Sequence, residues 1–181
     1  MMDQPILHSP RLLLRPFTLD DAKRVQMLAG DKRIADMTAA LPHPYLDGIA
    51  EEWIGGHVAA WNARTSVSYA IVLRQTQSLI GAISYVAMRD DEAEFGYWIG
   101  VPYWGCGYCT EAVATLIDFG FNTLGLAMQH ARHLPDNTAS SRVIIKNSLH
   151  YIGDVTMPLR GHNRVLKHYE LSAQEYFAKR P

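Results

Sequence analysis

Two glycines, Gly105 and Gly107, lie between a strand-like run that ends near Val101 and a helix-like run that begins at Tyr108. Glycine permits a tight turn and leaves the neighbouring backbone N–H groups uncovered. The helix that follows adds unpaired N–H donors and the positive end of its dipole, so this turn could bind a pyrophosphate. The same residues are also typical of a tight strand-to-helix connection that binds no ligand. A P-loop is excluded because no Gly-Lys-Ser/Thr sequence follows, and a dinucleotide-binding fingerprint because its third glycine is missing.

The two cysteines of the chain, Cys106 and Cys109, flank the second glycine in a C-x-x-C pattern. A dithiol at a helix N-terminus has a lowered thiol pKa and could be redox-active. Thioredoxin-like folds, however, place the motif after an early βαβ unit, whereas three strands with hairpin-like connections precede it here. Zinc ligation by the cysteines with His130 and His133 is another alternative, but these two histidines on a strand would point to opposite faces. We therefore expect no metal site.

The hydrophobic pattern predicts the elements that would position these residues. Arg11–Arg15 favours a first strand, the run after Thr18 favours a helix, and residues 46–63 have helical spacing that Gly55-Gly56 weakens. Further strands are predicted at Ser68–Arg74, Leu79–Met88, Glu94–Val101, Met128–Leu134, Tyr151–Val155 and Val165–Leu171, and further helices at Tyr108–Leu124 and Asn137–Asn147. Antiparallel strands followed by strand–helix–strand–helix indicate a mixed α/β sheet.

Composition limits the classes of protein to consider. The 181 residues are 48% hydrophobic and 19% charged, which is typical of a globular protein, and we expect one domain over residues 1–181. A net charge of −1 argues against a nucleic-acid partner. The apolar runs are shorter than the ~20 residues that span a bilayer, and the N-terminal residues lack a secretory pattern. We expect a cytoplasmic protein with no membrane partner.

Residues 96–113, GYWIGVPYWGCGYCTEAV, resemble motif A of the GNAT superfamily of acetyltransferases, in the branch that contains the RimJ/RimL-type ribosomal-protein N-terminal acetyltransferases. The family pattern Gln/Arg-x-x-Gly-x-Gly/Ala falls on Trp104, Gly107 and Cys109. The segment Asn137-Thr-Ala-Ser-Ser-Arg142 resembles the family's Asn-x-x-Ser-x-Arg helix start. The resemblance covers nearly the whole chain and implies the GNAT fold, a mostly antiparallel mixed sheet of about seven strands with helices on both faces.

The resemblance also implies where acetyl-CoA binds. In this family the cofactor lies in a V-shaped opening between two splayed strands, with its pyrophosphate on the backbone amides of the glycine turn. The cofactor-binding residues implied are Trp98, Ile99, Gly100, Val101, Trp104, Gly105, Cys106, Gly107, Tyr108, Cys109, Thr110, Asn137 and Ser140. Cys106 stands where the family often has Lys or Arg, so one charge contact to the phosphates is expected to be missing.

Two catalytic residues are implied. Glu94 occupies the acidic position of the family's Glu-x-Gly-Tyr strand pattern and would act as the base, through water. Its alternative is a solvated strand carboxylate beside other acids. Ser140 matches the motif serine and could hydrogen-bond the CoA sulfur, but Asn137 with Ser140 is also a helix-start pattern. Tyr97 is expected to serve packing.

The implied activity is acetyl transfer from acetyl-CoA to a primary amine by direct attack, on a protein N-terminus or a small-molecule amine. Met37–Tyr45 and parts of residues 46–63 would shape the acceptor pocket. A non-catalytic acyl-CoA-binding or regulatory protein stays open as an alternative, since the cofactor turn would persist without Glu94 and Ser140 acting. The C-x-x-C redox protein is a further one. The chain is expected to be a monomer or a homodimer.

Overall fold

The computed structural model describes residues 3–179, and its centre is one eight-stranded sheet. The strands are β1 (Leu7–His8), β2 (Leu12–Arg15), β3 (Val67–Leu73), β4 (Leu79–Arg89), β5 (Glu92–Ile99), β6 (Met128–His133), β7 (His150–Leu159) and β8 (His162–Ser172). Their order is β1-β2-β3-β4-β5-β6-β8-β7, and among these neighbours β5 and β6 run parallel while the other pairs are antiparallel. The predicted mixed sheet is confirmed. It has one strand more than predicted, because the two-residue β1 adds to the edge.

Seven α-helices within residues 3–179 connect and cover the strands. They are α1 (Ala22–Ala29), α2 (Lys32–Ala35), α3 (Ile49–Gly55), α4 (His57–Asn62), α5 (Tyr108–Asn122), α6 (Thr138–Lys146) and α7 (Ala173–Ala178). The prediction of one helix over residues 46–63 is wrong, because the chain forms α3 and α4 with Gly56 between them. Each glycine costs about 1 kcal/mol of helix propensity, and the adjacent pair is enough to end the first helix.

Helices on both faces of the sheet enclose two cores, which confirms the predicted layers. On one face α5 packs its buried stripe, including Val113 and Leu116, against alternate residues of the strands. On the other face α1 and α3 cover a second cluster. Because side chains alternate along a strand, Phe95 of β5 faces α5 while Trp98 faces α1.

The β7–β8 hairpin is longer than the predicted strands Tyr151–Val155 and Val165–Leu171. Pro158 lies inside β7 and accounts for the difference. Proline cannot donate a ladder hydrogen bond, so it discourages a strand prediction, but β7 is an edge strand and tolerates it. At the hairpin tip the Arg160 guanidinium donates to the carbonyls of Ala35, the last residue of α2, and of Thr38 and Leu41 in the loop that follows. The hairpin thereby fixes the loop that was expected to shape the acceptor pocket.

No helix among residues 3–179 is long and apolar enough to cross a membrane. The cytoplasmic location and the single domain over residues 1–181 remain predictions from the sequence.

Candidate active site

The site begins where β5 and β6 separate. Their parallel pairing runs from Glu92 opposite Met128 to Phe95 opposite Ala131 and then ends. Beyond that point β5 continues alongside β4, while β6 continues alongside β8. The two strands diverge because each follows a different neighbour, which leaves a V-shaped opening bordered by the C-terminal half of β5. This opening is where the sequence resemblance placed the cofactor.

At the end of β5 the chain turns through a 3-10 segment, Val101–Tyr103, into the glycine turn. Gly105 and Gly107 have φ values of +76° and +78°. This left-handed conformation costs an ordinary L-residue about 1–2 kcal/mol, so the turn needs glycine at both places. Gly107 is the N-cap of α5 and offers no side chain to its first amides. The N–H groups at the start of α5 are therefore left to a ligand, as a pyrophosphate site requires.

The other implied cofactor residues contribute through backbone or packing. The Trp98 side chain is buried in the α1-side core, so only its backbone borders the opening. The Trp104 indole donates to the Ile99 carbonyl at 2.7 Å and ties the turn to the strand end. The Thr110 carbonyl accepts from the Asn147 amide at 3.3 Å, which links α5 to α6.

A positively charged side chain lies beside the turn, although Cys106 itself carries no positive charge. The Arg11 guanidinium donates to the Cys106 carbonyl at 3.0 Å, and its carbon lies 4.6 Å from the centre of the Tyr108 ring. Arg11 is also paired with Glu111 at 2.6 Å, so its charge is partly balanced. Sequence reasoning missed Arg11, because its approach to the turn depends on β2 lying next to α5, and no local pattern signals that.

The two cysteines do not form a redox pair in this structure. Both are free thiols, with Cys106 exposed and Cys109 partly buried against the α5-side core. Burial raises the pKa of the Cys109 thiol, the opposite of the lowered pKa that a reactive dithiol needs. The zinc alternative fails as well, because buried His133 bonds the Leu134 carbonyl at 2.7 Å on the α5 side while His130 lies on the other face.

Ser140 lies on the α5 side of the opening, in the first turn of α6. Asn137 is the N-cap of that helix, and its side-chain oxygen accepts from the Ser140 amide at 3.0 Å. The Ser140 hydroxyl is 2.7 Å from the hydroxyl of Tyr97, which stands on β5 beyond the last pairing with β6. Burial raises the pKa of Tyr97, so this hydroxyl stays protonated. Tyr97 was expected to serve packing, and the structure adds this polar contact across the opening.

Glu94 lies on the opposite face of β5 from Tyr97, in register with His130 of β6. Its carboxylate pairs with the Arg132 guanidinium, and about a quarter of its side chain (24%) is exposed. Burial raises the pKa of Glu94, although the charges of Arg132 and His130 lower it in part. Glu94 is thus not a freely solvated carboxylate. Glu94 lies one residue before the last β5–β6 pair, and Tyr97, which contacts Ser140, lies two residues beyond that pair on the opposite face.

On the Glu94 face a cavity of about 310 Å³ lies between α3, α4 and the strands β3 and β4. Its lining includes Trp53, His57, Ser84 and Val86. Both ring nitrogens of His57 are buried without a hydrogen-bond partner, and burial lowers the pKa of His57 to about 4. Ser84 pairs with Gly96 of β5, two residues from Glu94, so the cavity lies on the same face of the sheet as the candidate base.

The family follows from a comparison with known domains. Residues 11–150 match the model of the acetyltransferase (GNAT) domain, which is well over half of the chain. The chain belongs to the GNAT acetyltransferase family. It is an N-acetyltransferase that uses acetyl-CoA and acts on an amine acceptor.

Similar proteins agree with this assignment. The N-acetyltransferase YoaA of Bacillus subtilis is 29% identical over 146 residues, which cover 78% of this chain and 81% of that protein. A GNAT-family acetyltransferase from Bacillus anthracis superposes with a TM-score of 0.83 at 21% identity, covering 94% of this chain and 100% of the other. RimL, the ribosomal L7/L12 α-N-protein acetyltransferase, solved with coenzyme A, superposes with a TM-score of 0.82 at 16% identity over 94% and 99% of the two chains. The structural likeness establishes the fold of this GNAT chain.

Proposed function

We propose that this GNAT enzyme moves the acetyl group directly from acetyl-CoA to a primary amine in the opening between β5 and β6, with Glu94 as the base. The main support for this proposal is the opening between the two strands. The glycine turn lies at its end, and near the point where the strand pairing stops Glu94 is on one face and Ser140 on the other. The amine nitrogen attacks the thioester carbonyl and forms the C–N bond. The C–S bond breaks, the amine proton passes through water to Glu94, and the CoA thiolate is released.

The cofactor would be held by backbone groups more than by charged side chains. The uncapped amides of residues 105–110 suit a pyrophosphate, and Arg11 supplies the nearby positive charge that Cys106 does not. Backbone N–H groups of β5 facing the opening would bind the developing oxyanion. The raised pKa of Cys109 disfavours an acyl-cysteine intermediate and supports direct attack.

Ser140 would donate a hydrogen bond to the CoA sulfur and stabilise the thiolate as it leaves. The Tyr97 hydroxyl, 2.7 Å from that of Ser140 and kept protonated by its raised pKa, would donate to Ser140, and the released thiolate would take its proton from water. Asn137 fixes the backbone of Ser140 in the first turn of α6, because its side-chain oxygen accepts from the Ser140 amide. Its side-chain NH₂ group donates at 3.1 Å to the carbonyl of Met37, in the loop that was expected to shape the acceptor pocket.

For the acceptor we propose the α-amine of a protein or peptide N-terminus. At pH 7 roughly a tenth of an α-amine is neutral, against well under a thousandth of a lysine side chain, so a modest base suffices. RimL, which shares the fold, is described as an α-N-protein acetyltransferase. A small-molecule amine is the other candidate, because a cavity of about 310 Å³ lies on the same face of the sheet as Glu94.

Glu94→Gln tests the proposal. A general base typically contributes about 10²–10⁴-fold, so kcat should fall by that factor while CoA binding is retained. In acid the activity of the unsubstituted enzyme should fall through two protonations, that of the amine and that of Glu94 at its raised pKa, and only the second should be missing in the variant. Asp20→Asn, an exposed carboxylate at the start of the segment before α1, is the matched control. Unchanged turnover across the pH range in Glu94→Gln would overturn the assignment of the base.

A further inference from the structure

Three side chains with metal-binding atoms converge on the sheet face that carries Glu94. β6 and β8 pair antiparallel with His130 opposite Glu170 and Arg132 opposite His168, so His130, His168 and Glu170 all point to the face away from α5. Each is largely buried, with 15%, 15% and 24% of the side chain exposed. Within the described part of the chain these three form the group of histidine and carboxylate donors close enough together to hold one ion.

The distances between the donor atoms match a single small ion. His130 Nδ1 lies 3.2 Å from His168 Nε2 and 3.3 Å from Glu170 Oε1, and the latter two atoms are 3.8 Å apart. Nitrogen and oxygen donors held at about 2.0–2.1 Å from one zinc ion in tetrahedral geometry are about 3.3 Å apart. An ion could therefore bind all three atoms with little movement of the side chains.

A neighbouring carboxylate orients the first of these ligands. His130 Nε2 lies 3.3 Å from Glu92 Oε2, so the ring can donate its Nε2–H there and turn the Nδ1 lone pair toward the cluster. Metal-binding histidines commonly make this kind of hydrogen bond with the second nitrogen. Without a metal, His130 Nδ1, His168 Nε2 and Glu170 Oε1 would have to share protons among themselves in hydrogen bonds.

The charge around the cluster favours a cation. Glu92, Glu94 and Glu170 carry negative charge, while the nearby guanidinium of Arg132 is already paired with Glu94. The donor set of two imidazoles and one carboxylate is one that zinc uses, usually with water in a fourth position.

We propose that His130, His168 and Glu170 bind one divalent ion such as Zn²⁺, with a fourth position open to water, on the sheet face that carries Glu94. The ion would join β6 to β8 and would lie beside Glu94, since Glu94 is in register with His130. This site is distinct from the cofactor turn and involves neither cysteine.

The test is metal binding by the full, tag-free chain after treatment with a chelator. A titration with Zn²⁺ alone, monitored by calorimetry, should show one ion bound per chain. Adding Co²⁺ alone should produce the intense visible absorption bands of a four-coordinate site. His168→Gln and Glu170→Gln should each weaken binding at least tenfold, and Glu92→Gln should weaken it by about 10–100-fold. His162→Gln, an exposed histidine at the start of β8, and Cys106→Ser are the matched controls and should bind like the original chain.

Two results would overturn the proposal. One is an original chain, folded by circular dichroism, that binds neither Zn²⁺ nor Co²⁺. The other is binding that survives in His168→Gln and Glu170→Gln or is lost in Cys106→Ser, either of which would place the ion elsewhere. The first result does not depend on whether any variant folds, and neither depends on turnover.

Discussion

Replacing Gly107 with alanine should both destabilise the enzyme and weaken its hold on CoA. The added Cβ would meet only Arg11 Nη2, at 3.5 Å, which is an ordinary contact, so the cost comes from the φ of +78°. That conformation costs an L-residue about 1–2 kcal/mol. The part of that cost that the free enzyme escapes by relaxing the turn must be supplied by CoA on binding, so the cost divides between stability and affinity. If all of it falls on binding, about 1–2 kcal/mol corresponds to a dissociation constant that is about 5- to 30-fold higher.

Gly125→Ala separates the two effects. Gly125 has a φ of +72° with no atom near a new Cβ, and it follows the C-terminal end of α5, away from the turn. The melting temperature of Gly125→Ala should fall by about 2–4 °C for each kcal/mol, and that of Gly107→Ala by as much or less. Calorimetry with CoA should show weaker binding for Gly107→Ala alone. If Gly107→Ala loses stability but binds CoA as tightly as Gly125→Ala, the turn is a connection and not a phosphate site.

Three further substitutions test other parts of the structure. Arg11→Gln should raise the dissociation constant of CoA about two- to fivefold at low salt and much less at high salt; an equal loss for pantetheine, which has no pyrophosphate, would refute a phosphate contact. Ser140→Ala should lower kcat by at least about tenfold, with Ser140→Thr recovering part of it, and an unchanged kcat would leave Ser140 only a helix-start role. Asp21→Asn should cost about 1–3 kcal/mol at pH 7, because the Asp21 carboxylate accepts two hydrogen bonds from Arg15, at 2.7 and 2.8 Å. The pKa of Asp21 is lowered in the folded state, so its contribution is present above the unfolded pKa of about 3.9 and is lost as the pH falls through the folded value. The urea midpoints of the two proteins should therefore converge in acid, and a gap that does not change with pH would contradict the ion pair.

Local signals predicted most of the fold. The hairpin β3–β4, helix α5 and the capped start of α6 depend on alternation, helical spacing and N-cap residues, all of which act within a few positions. Helix α7 was missed although its capping box, Ser172 with Glu175, is of the same local kind. Here the short length of the helix and its direct continuation from β8 concealed the signal.

What depends on strand register could not be predicted. Arg11 reaches the cofactor turn because β2 lies near α5, and Tyr97 meets Ser140 because α6 packs across the opening. His168 and Glu170 share a face, as residues two apart on a strand must, but their meeting with His130 depends on how β8 pairs with β6. The sequence analysis weighed His130 only with His133 and the cysteines, because the cluster with His168 and Glu170 is visible only once this pairing is known.

The most direct test of the central claim is acetyl transfer itself. The enzyme is mixed with acetyl-CoA and a peptide that carries both a free N-terminal amine and an internal lysine. In a parallel reaction the same peptide has a blocked N-terminus. Thiol release and the mass of the peptide are followed together. We expect one thiol released for each acetyl group, with the acetyl group on the α-amine and no reaction of the blocked peptide. Tight CoA binding without thiol release, for these peptides and for a panel of polyamines, amino acids and aminoglycosides, would contradict catalysis at this opening.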